Sequence, residues 1–293
     1  EFLARADKSV APPDQSLMKS SIRPLEPKSP VVPYGYSHIT GYQMRRFGVT
    51  REQFAMVSVL MAAQATRHPS AMTKSPRTLE EVLSSGEVAP NLCRLECARR
   101  ADGAGAIVVC SSTFLERFGL GIAGLPVVLS GGEASGPLYP PAEIDETMFS
   151  CEHAAQYAYH QAQLSVEDID FFGLYDCFPI CFLRAVEAVG LAPPGRGGDW
   201  VEERYRWYME AGGSAPLPPG RFPVNTHGGL SAFGAPWETP AMYNIIEACE
   251  QLSGSAGDRQ VPKCRRALVY GNGGVFSASA VAILGNGRSA FAM

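Results

Sequence analysis

Residues 168–190, DIDFFGLYDCFPICFLRAVEAVG, contain the pattern that decides the fold class. Its first seven residues form a nearly continuous apolar run of strand length, and Pro179 opens an apolar helical pattern that ends at a glycine. Tyr175, Asp176 and Cys177 therefore fall at a strand-to-helix junction. Such junctions carry chemistry in α/β sheets, because the amide N–H groups of the new helix point at the ligand. The stretch predicts an α/β fold with a site after this strand.

The segments on either side extend the α/β pattern. Strands are predicted at 104–110, at 125–130 and on both sides of a turn through 271–274. Helices are predicted in 41–71, 78–84 and 140–164, and from Pro240 to about Leu252. Loops are predicted at 1–40 and 193–223, which are rich in proline, or in glycine, proline and aromatic residues. These segments together would build a layered α/β unit with buried strands.

Composition excludes several classes of protein. Hydrophobic residues make up 46% of the 293 residues, which is typical of a packed globule rather than a disordered chain. The net charge of −4 offers no basic surplus for nucleic acid or an anionic membrane. No apolar run approaches the roughly 20 residues that span a bilayer, and the first ten residues lack a signal-peptide pattern, so we expect a cytoplasmic protein.

Two sets of metal-ligating residue types are interpreted as ordinary structure. His153, Tyr157 and His160 share one helix face by their spacing, but no further ligand accompanies them. Cys177 and Cys181 are expected in the core, and the eight cysteines form no CxxC pair. The sequence therefore predicts reduced thiols and no metal site.

Three motifs in this order resemble the thiolase superfamily, in particular its sterol carrier protein-type, or lipid-transfer-type, acetyl-CoA acetyltransferase-like branch. They are LYDCF at 174–178, NTHGGLSAFGAPWETPAMY at 225–243 and YGNGG at 270–274. The resemblance implies a layered αβαβα fold of two stacked halves, with an acyl-CoA site where they meet. It makes 1–120 the loop domain and the end of a partial N-terminal half, and 121–293 a complete C-terminal half. The opening strands of the N-terminal half, with the family's nucleophilic cysteine, are then expected outside this sequence.

The resemblance also implies which residues are catalytic. A thiolase needs a thiolate, a base and donors for an enolate oxygen. Here Tyr175 replaces the usual His or Asn, Ala235 replaces the His of a GHP motif, and Asn272 replaces an acid/base cysteine. Because alanine cannot move a proton, the standard thiolysis route is not expected. Tyr175, His227 and Asn272 are the predicted catalytic residues.

Substrate-binding residues are predicted around these three. They are Asp176, Cys177, Asn225, Gly228, Gly229, Trp237, Gly273 and Gly274. Coenzyme A is expected as part of the substrate, with no separately bound cofactor. Plainer interpretations stay open: Tyr175 closes the strand as a hydrogen-bonded aromatic residue, His227 caps its loop, and the glycines meet backbone requirements. The aromatic residues of the two junction loops either line an apolar pocket or pack for structure alone; they are Trp200, Tyr205, Trp207, Tyr208 and Trp237.

The predicted function is making or breaking a C–C bond next to the thioester of an acyl-CoA. The resemblance favours a tyrosine-assisted retro-aldol route, as in lipid-transfer-type aldolases of steroid side-chain degradation, which work with a separate OB-fold chain. Two alternatives stay open: a cysteine-dependent acyltransferase with its nucleophile on the absent segment, and a non-catalytic acyl-CoA or lipid-binding subunit. A homo-oligomer is implied, and an incomplete half would leave apolar surface for a partner chain.

Overall fold

The computed structural model describes residues 31–237 and 239–287. The helices are α1 (Val31–Phe47), α2 (Arg51–Ala65), α3 (Leu79–Leu83), α4 (Ser112–Arg117), α5 (Cys151–Ala162), α6 (Pro179–Ala188), α7 (Gly197–Glu210), α8 (Gly229–Phe233) and α9 (Pro240–Ser253). The strands are β1 (Glu87–Ala89), β2 (Leu92–Cys93), β3 (Pro126–Ser135), β4 (Phe171–Leu174), β5 (Arg266–Gly273) and β6 (Ala278–Asn286). Short 3₁₀ turns lie at Arg94–Glu96, Glu146–Met148, Val166–Asp168 and Gly257–Arg259. None of the described helices is long and apolar enough to cross a bilayer.

A mixed sheet of four strands, in the order β3-β6-β5-β4, lies at the centre. β4 runs parallel to β5, and β6 runs antiparallel to both β5 and β3. Residues alternate between the two faces, so that Phe171 packs with α9 on one side while Phe172 packs in the larger core that contains α5 and α6. Leu174 pairs with Tyr270, which places the end of β4 beside the middle of β5. The α/β prediction is confirmed.

Local signals fix the first residues of several helices. Thr50 caps α2 in a reciprocal box with Gln53, and Thr78 caps α3 in the same way with Glu81. Pro179 occupies the first turn of α6, where its missing N–H is not needed. The helices at 51–65, 79–83, 179–188 and 240–253 therefore confirm their predictions.

Three loop or turn predictions are wrong within the described residues. The segment 31–40 is helical, because Pro33 lies in the first turn of α1 and costs no hydrogen bond there. The segment 193–223 contains α7, whose opening glycines allow close packing: a Cβ on Gly198 would lie 2.5 Å from the Gln53 Oε1 atom. The final hairpin turns at 274–277 instead of 271–274, since β5 continues through Gly273. Residues 1–30 lie outside the described residues.

The predicted strand at 104–110 is also absent. A strand needs a neighbour for its backbone N–H and C=O groups, and in the described residues the nearest bridge joins Arg100 to Ala235. The apolar side chains of this segment face solvent, with Val108 96% exposed and Val109 74% exposed. The apolar run therefore forms an uncovered surface.

Candidate functional site

The first two motifs are joined by the side chain of Asn225. Its Oδ1 accepts a hydrogen bond from the Leu174 amide at 2.7 Å, and its Nδ2 donates to the Leu174 carbonyl at 2.8 Å. Asn225 is fully buried and has a φ of 45°, a backbone conformation that asparagine tolerates better than most residues. The amide thus extends the hydrogen bonding of β4 and holds the second junction loop at the end of that strand.

Asp176 makes a second connection between these motifs. Its buried carboxylate accepts hydrogen bonds from the Leu230 amide at 2.6 Å and from the Ser231 hydroxyl at 2.9 Å, in the first turn of α8. Gly229 has a φ of 63°, and a Cβ there would lie 2.2 Å from the Asp176 Oδ2 atom. Asp176 and Gly229 therefore contact each other, and their predicted role in substrate binding stays a prediction.

Asp176 should make stability depend on pH. Burial raises the pKa of its carboxyl to about 7, although the Leu230 and Ser231 donors act in the opposite direction. A carboxyl with a raised pKa binds its proton more tightly in the folded state, so its contribution falls as pH rises from the unfolded pKa towards 7. We expect wild type to lose roughly 3 kcal/mol of unfolding free energy relative to Asp176→Asn between pH 5 and pH 8. Urea unfolding of both proteins measures this, and parallel pH profiles would contradict it.

Tyr175 is half-buried at the junction itself. Burial raises the pKa of its phenol well above the usual range, and the nearby Cys177 and Cys181 thiols and the Asp176 carboxylate raise it further. A phenol in these surroundings stays protonated at neutral pH. Tyr175 therefore offers an O–H group that can donate a hydrogen bond, and it is unsuited to act as a resting phenolate base.

Tyr36 of α1 joins the third motif to this junction, and sequence reasoning missed it. Its ring stacks on Phe178 with the centroids 4.4 Å apart, and its hydroxyl donates to the Gly274 carbonyl at 2.6 Å. It is buried because it lies on the inner face of a helix where a loop was predicted. The signal was present as apolar or small residues at helical spacing, since Ile39 and Thr40 are buried on the same face.

Asn272 lies on β5, and its side-chain amide is hydrogen-bonded to other groups of the protein. Its Nδ2 donates to the Tyr36 hydroxyl at 3.1 Å and to the Gly274 carbonyl at 3.2 Å. Gly273 continues the strand, and Gly274 opens the turn with a φ of 59°. The amide therefore orients Tyr36 and supports the hairpin, and its predicted catalytic role stays a prediction.

His227 belongs to a different polar cluster from Tyr175. Burial lowers the pKa of its imidazole to about 4, the Glu247 carboxylate raises it, and His68 and Arg259 lower it further. The cavity that His227 lines with His68 and Glu247 does not include Tyr175 in its lining. Gly228, next in the chain, has a φ of 107° and packs against Ala65, where a Cβ would lie 2.5 Å from the alanine Cβ. The catalytic role of His227 stays a prediction.

The remaining predicted positions divide between core and surface. The Cys177 and Cys181 Sγ atoms lie 3.5 Å apart, and all eight cysteines are free thiols. Trp237 is 71% exposed, whereas Trp200 packs between Phe182 and Phe222 with centroid distances of 6.2 and 6.0 Å. His153, Tyr157 and His160 are exposed on α5. The interpretation of that helix face as ordinary structure without a metal stays a prediction.

Comparison with known proteins identifies the family. Residues 142–286 match the family model described as Thiolase C-terminal domain-like. An acetyl-CoA acetyltransferase of Methanothermobacter thermautotrophicus is 32% identical over 277 residues, which are 94% of this chain and 69% of that protein. This chain belongs to the thiolase superfamily. Human sterol carrier protein 2 is 29% identical over 251 residues, which are 83% of this chain and 43% of that protein. The thiolase-like chain thus has relatives of the sterol carrier protein type.

Solved structures share the fold. An Ltp2-ChsH2(DUF35) aldolase superposes with a TM-score of 0.70 at 24% identity, covering 87% of this chain and 63% of that one. A monomeric SCP2-thiolase like protein type 1 from Mycobacterium smegmatis superposes with a TM-score of 0.64 at 21% identity, covering 87% and 51%. The thiolase-like chain therefore spans between about half and two thirds of the length of these structural relatives.

Proposed function

We propose that this thiolase-like chain acts on an acyl-CoA and cleaves a C–C bond next to the thioester by a tyrosine-assisted retro-aldol route. The proposal is carried by the position and protonation of Tyr175. Its phenol has a raised pKa and follows the end of β4, where we place the donor to a substrate oxygen. Ala235 offers no acid or base, which disfavours the standard thiolase route. Coenzyme A enters only as part of the substrate.

The proposed cleavage moves one proton, by way of Tyr175, from the β-hydroxyl of the substrate to its Cα. In a β-hydroxyacyl-CoA the Cα–Cβ bond breaks, its electron pair passes into the thioester as an enolate, and the β-hydroxyl carbon becomes a carbonyl. Tyr175 hydrogen-bonds the developing enolate and gives its proton to Cα. As the C–C bond breaks and Tyr175 protonates Cα, the phenolate oxygen so formed takes the proton of the β-hydroxyl in the same concerted step, so the tyrosine is unchanged after turnover. The products are a shorter acyl-CoA and an aldehyde or ketone.

A second chain is part of the proposal. The Ltp2-ChsH2(DUF35) aldolase is similar in fold, and its name joins those of two proteins. Here Val108, Val109, Phe118 and Val128 are large apolar side chains that are more than half exposed. Contiguous exposed apolar surface marks interaction sites, and these four side chains come from one stretch of sequence, 108–128. We expect this surface to be covered in a homo-oligomer or by a separate chain of the OB-fold type, and steroid side chains are the acyl groups we would test first.

Product analysis tests the proposal on the complete protein. Incubation with a β-hydroxyacyl-CoA is expected to release a shorter acyl-CoA and a carbonyl compound without consuming free coenzyme A, and native mass spectrometry of the same sample should show a second subunit. Cleavage of a 3-ketoacyl-CoA that needs free coenzyme A and stops after iodoacetamide treatment would instead indicate the cysteine-dependent acyltransferase. Acyl-CoA binding without turnover would indicate a non-catalytic subunit, and either outcome contradicts the aldolase proposal.

A further inference from the structure

A second polar cluster lies away from Tyr175, between the residues after α2 and the face of α9. His68, His227, Glu247 and Glu250 line a cavity of about 50 Å³. We infer that this cluster binds a divalent transition-metal cation such as Zn²⁺ through imidazole nitrogen and carboxylate oxygen. Mixed imidazole and carboxylate donors are typical of zinc and related cations.

The spacing of the donors fits a cation. One ligand atom from each of His68, Glu247 and Glu250 lies within 4.8 Å of the other two. Ligand atoms around a tetrahedral Zn²⁺ lie roughly 3.4 Å apart, given bonds of about 2.1 Å. Side-chain adjustments on the order of 1 Å would therefore close the set, and the cavity has room for a single ion.

His227 gives an independent indication. Its side chain is 98% buried, since the residue is 2% exposed, and its Nδ1 has no hydrogen-bond partner among the described residues. A buried imidazole nitrogen without a partner is unfavourable, because folding removes it from water and returns no hydrogen bond. The same ring lines the cavity with His68 and Glu247. His227 therefore lies beside the donor set of His68, Glu247 and Glu250, so a cation held there would be next to a buried ring nitrogen that lacks a partner.

The charges of the cluster favour binding of a cation. Arg259 is the basic group already present: its Nε pairs with Glu247 at 3.0 Å, and its Nη2 pairs with Glu250. Thr226, Gln251 and Arg259 all donate to the Glu247 Oε1 atom, whereas Oε2 accepts from Arg259 alone in the described part of the chain. Two carboxylates against this guanidinium leave a net charge of −1, to which the exposed Lys74 adds a second cation that acts on His68, and Oε2 of Glu247 keeps a lone pair.

His68 can join the ligand set at small cost. Its Nδ1 accepts a hydrogen bond from the Ser70 amide at 3.1 Å, in an exposed turn. If Nδ1 of His68 binds the metal, the ion takes the place of the Ser70 amide at that nitrogen. If Nε2 binds the metal, the ring proton moves to Nδ1, and the hydrogen bond from Ser70 is also lost. Because the amide lies at the surface, water can take the place of the ring nitrogen.

Metal titration of the purified chain tests the inference. Calorimetry with Zn²⁺ is expected to show one equivalent bound, and Co²⁺ to give visible absorption bands of a low-symmetry site. His68→Asn should weaken Zn²⁺ binding by at least about 100-fold, since it removes a ligand, and His227→Asn should weaken it by about 10-fold, since it changes a group beside the ligands. His160→Asn, which changes an exposed histidine of α5, is the matched control and should bind as wild type does.

A variant that is expected to increase Zn²⁺ affinity keeps the test decisive if a histidine variant folds poorly. Arg259→Gln removes the cation that competes for Glu247 and Glu250, so we expect Zn²⁺ to bind more tightly than to wild type. Tyr175→Phe should bind Zn²⁺ normally, which separates this inference from the proposed function. Absence of stoichiometric binding, or equal affinities in wild type, His68→Asn and His227→Asn, would overturn it.

Discussion

Tyr175→Phe is expected to lower the turnover of a β-hydroxyacyl-CoA by at least about 100-fold, the usual range for removing a general acid or base. The substitution keeps the half-buried ring and deletes one hydroxyl. Burial and the neighbouring Cys177, Cys181 and Asp176 raise the pKa of that hydroxyl, so it reaches the reaction as a donor. Steady-state kinetics should show the loss in kcat, with acyl-CoA binding measured separately by calorimetry and little changed.

Tyr159→Phe is the matched control. Tyr159 is also half-buried with a raised pKa, but its hydroxyl donates to the Val189 carbonyl at 2.9 Å on the α5 side of the core. We expect this variant to lose some stability and to keep its kcat. If Tyr175→Phe turned over substrate as wild type does, Tyr175 would be an aromatic residue that closes the strand, and the retro-aldol proposal would fail.

The strand-to-helix unit around Tyr175 could be predicted because its signals are local. Phe171 to Leu174 form a continuous apolar run, and Pro179 fixes where α6 begins. Helix caps at Thr50 and Thr78 are equally local, since each needs only a residue three positions away. Local patterns of this kind correctly predicted most of the helices and strands.

The contents of the site could not be predicted, because they depend on contacts between distant parts of the chain. Asp176 and Gly229 were interpreted separately as substrate-binding residues, yet they pack against each other. Tyr36 reaches Asn272 across 236 positions of sequence, which no local pattern encodes. The apolar run around Val108 has strand composition and no neighbouring strand in the described residues. Composition predicts the tendency to form a strand, and pairing decides whether one forms.

Arg184→Met is expected to cost roughly 3 to 5 kcal/mol of unfolding free energy, the range for breaking a buried ion pair. The Arg184 guanidinium is almost fully buried in α6, where it pairs with Glu146 at 2.9 Å and with Glu152 at 2.6 Å. It also lies 3.8 Å from the Phe149 ring centroid and 3.7 Å from Glu187, whose carboxylate is as buried as the arginine. Methionine fills similar volume but leaves the Glu187 charge uncompensated.

The pH dependence of that loss identifies its cause. Burial already raises the pKa of Glu187, and Arg184 opposes this, so removing the arginine should raise it further. A raised carboxyl pKa lowers stability as pH rises, so the deficit of Arg184→Met should be smaller near pH 4 than at neutral pH. Arg196→Met, which breaks an exposed ion pair with Asp199, is the control and should cost less than about 1 kcal/mol.

Adding Glu187→Gln to Arg184→Met should restore part of the stability, because the double variant no longer buries an unpaired charge. Urea unfolding of the two single variants, the double variant and wild type completes a cycle that measures the coupling. A deficit that does not vary with pH and is not reduced in the double variant would assign the stabilisation by Arg184 to packing on Phe149 and its pairs with Glu146 and Glu152. The neighbouring Tyr175 junction would then depend on α6 through packing rather than through buried charge.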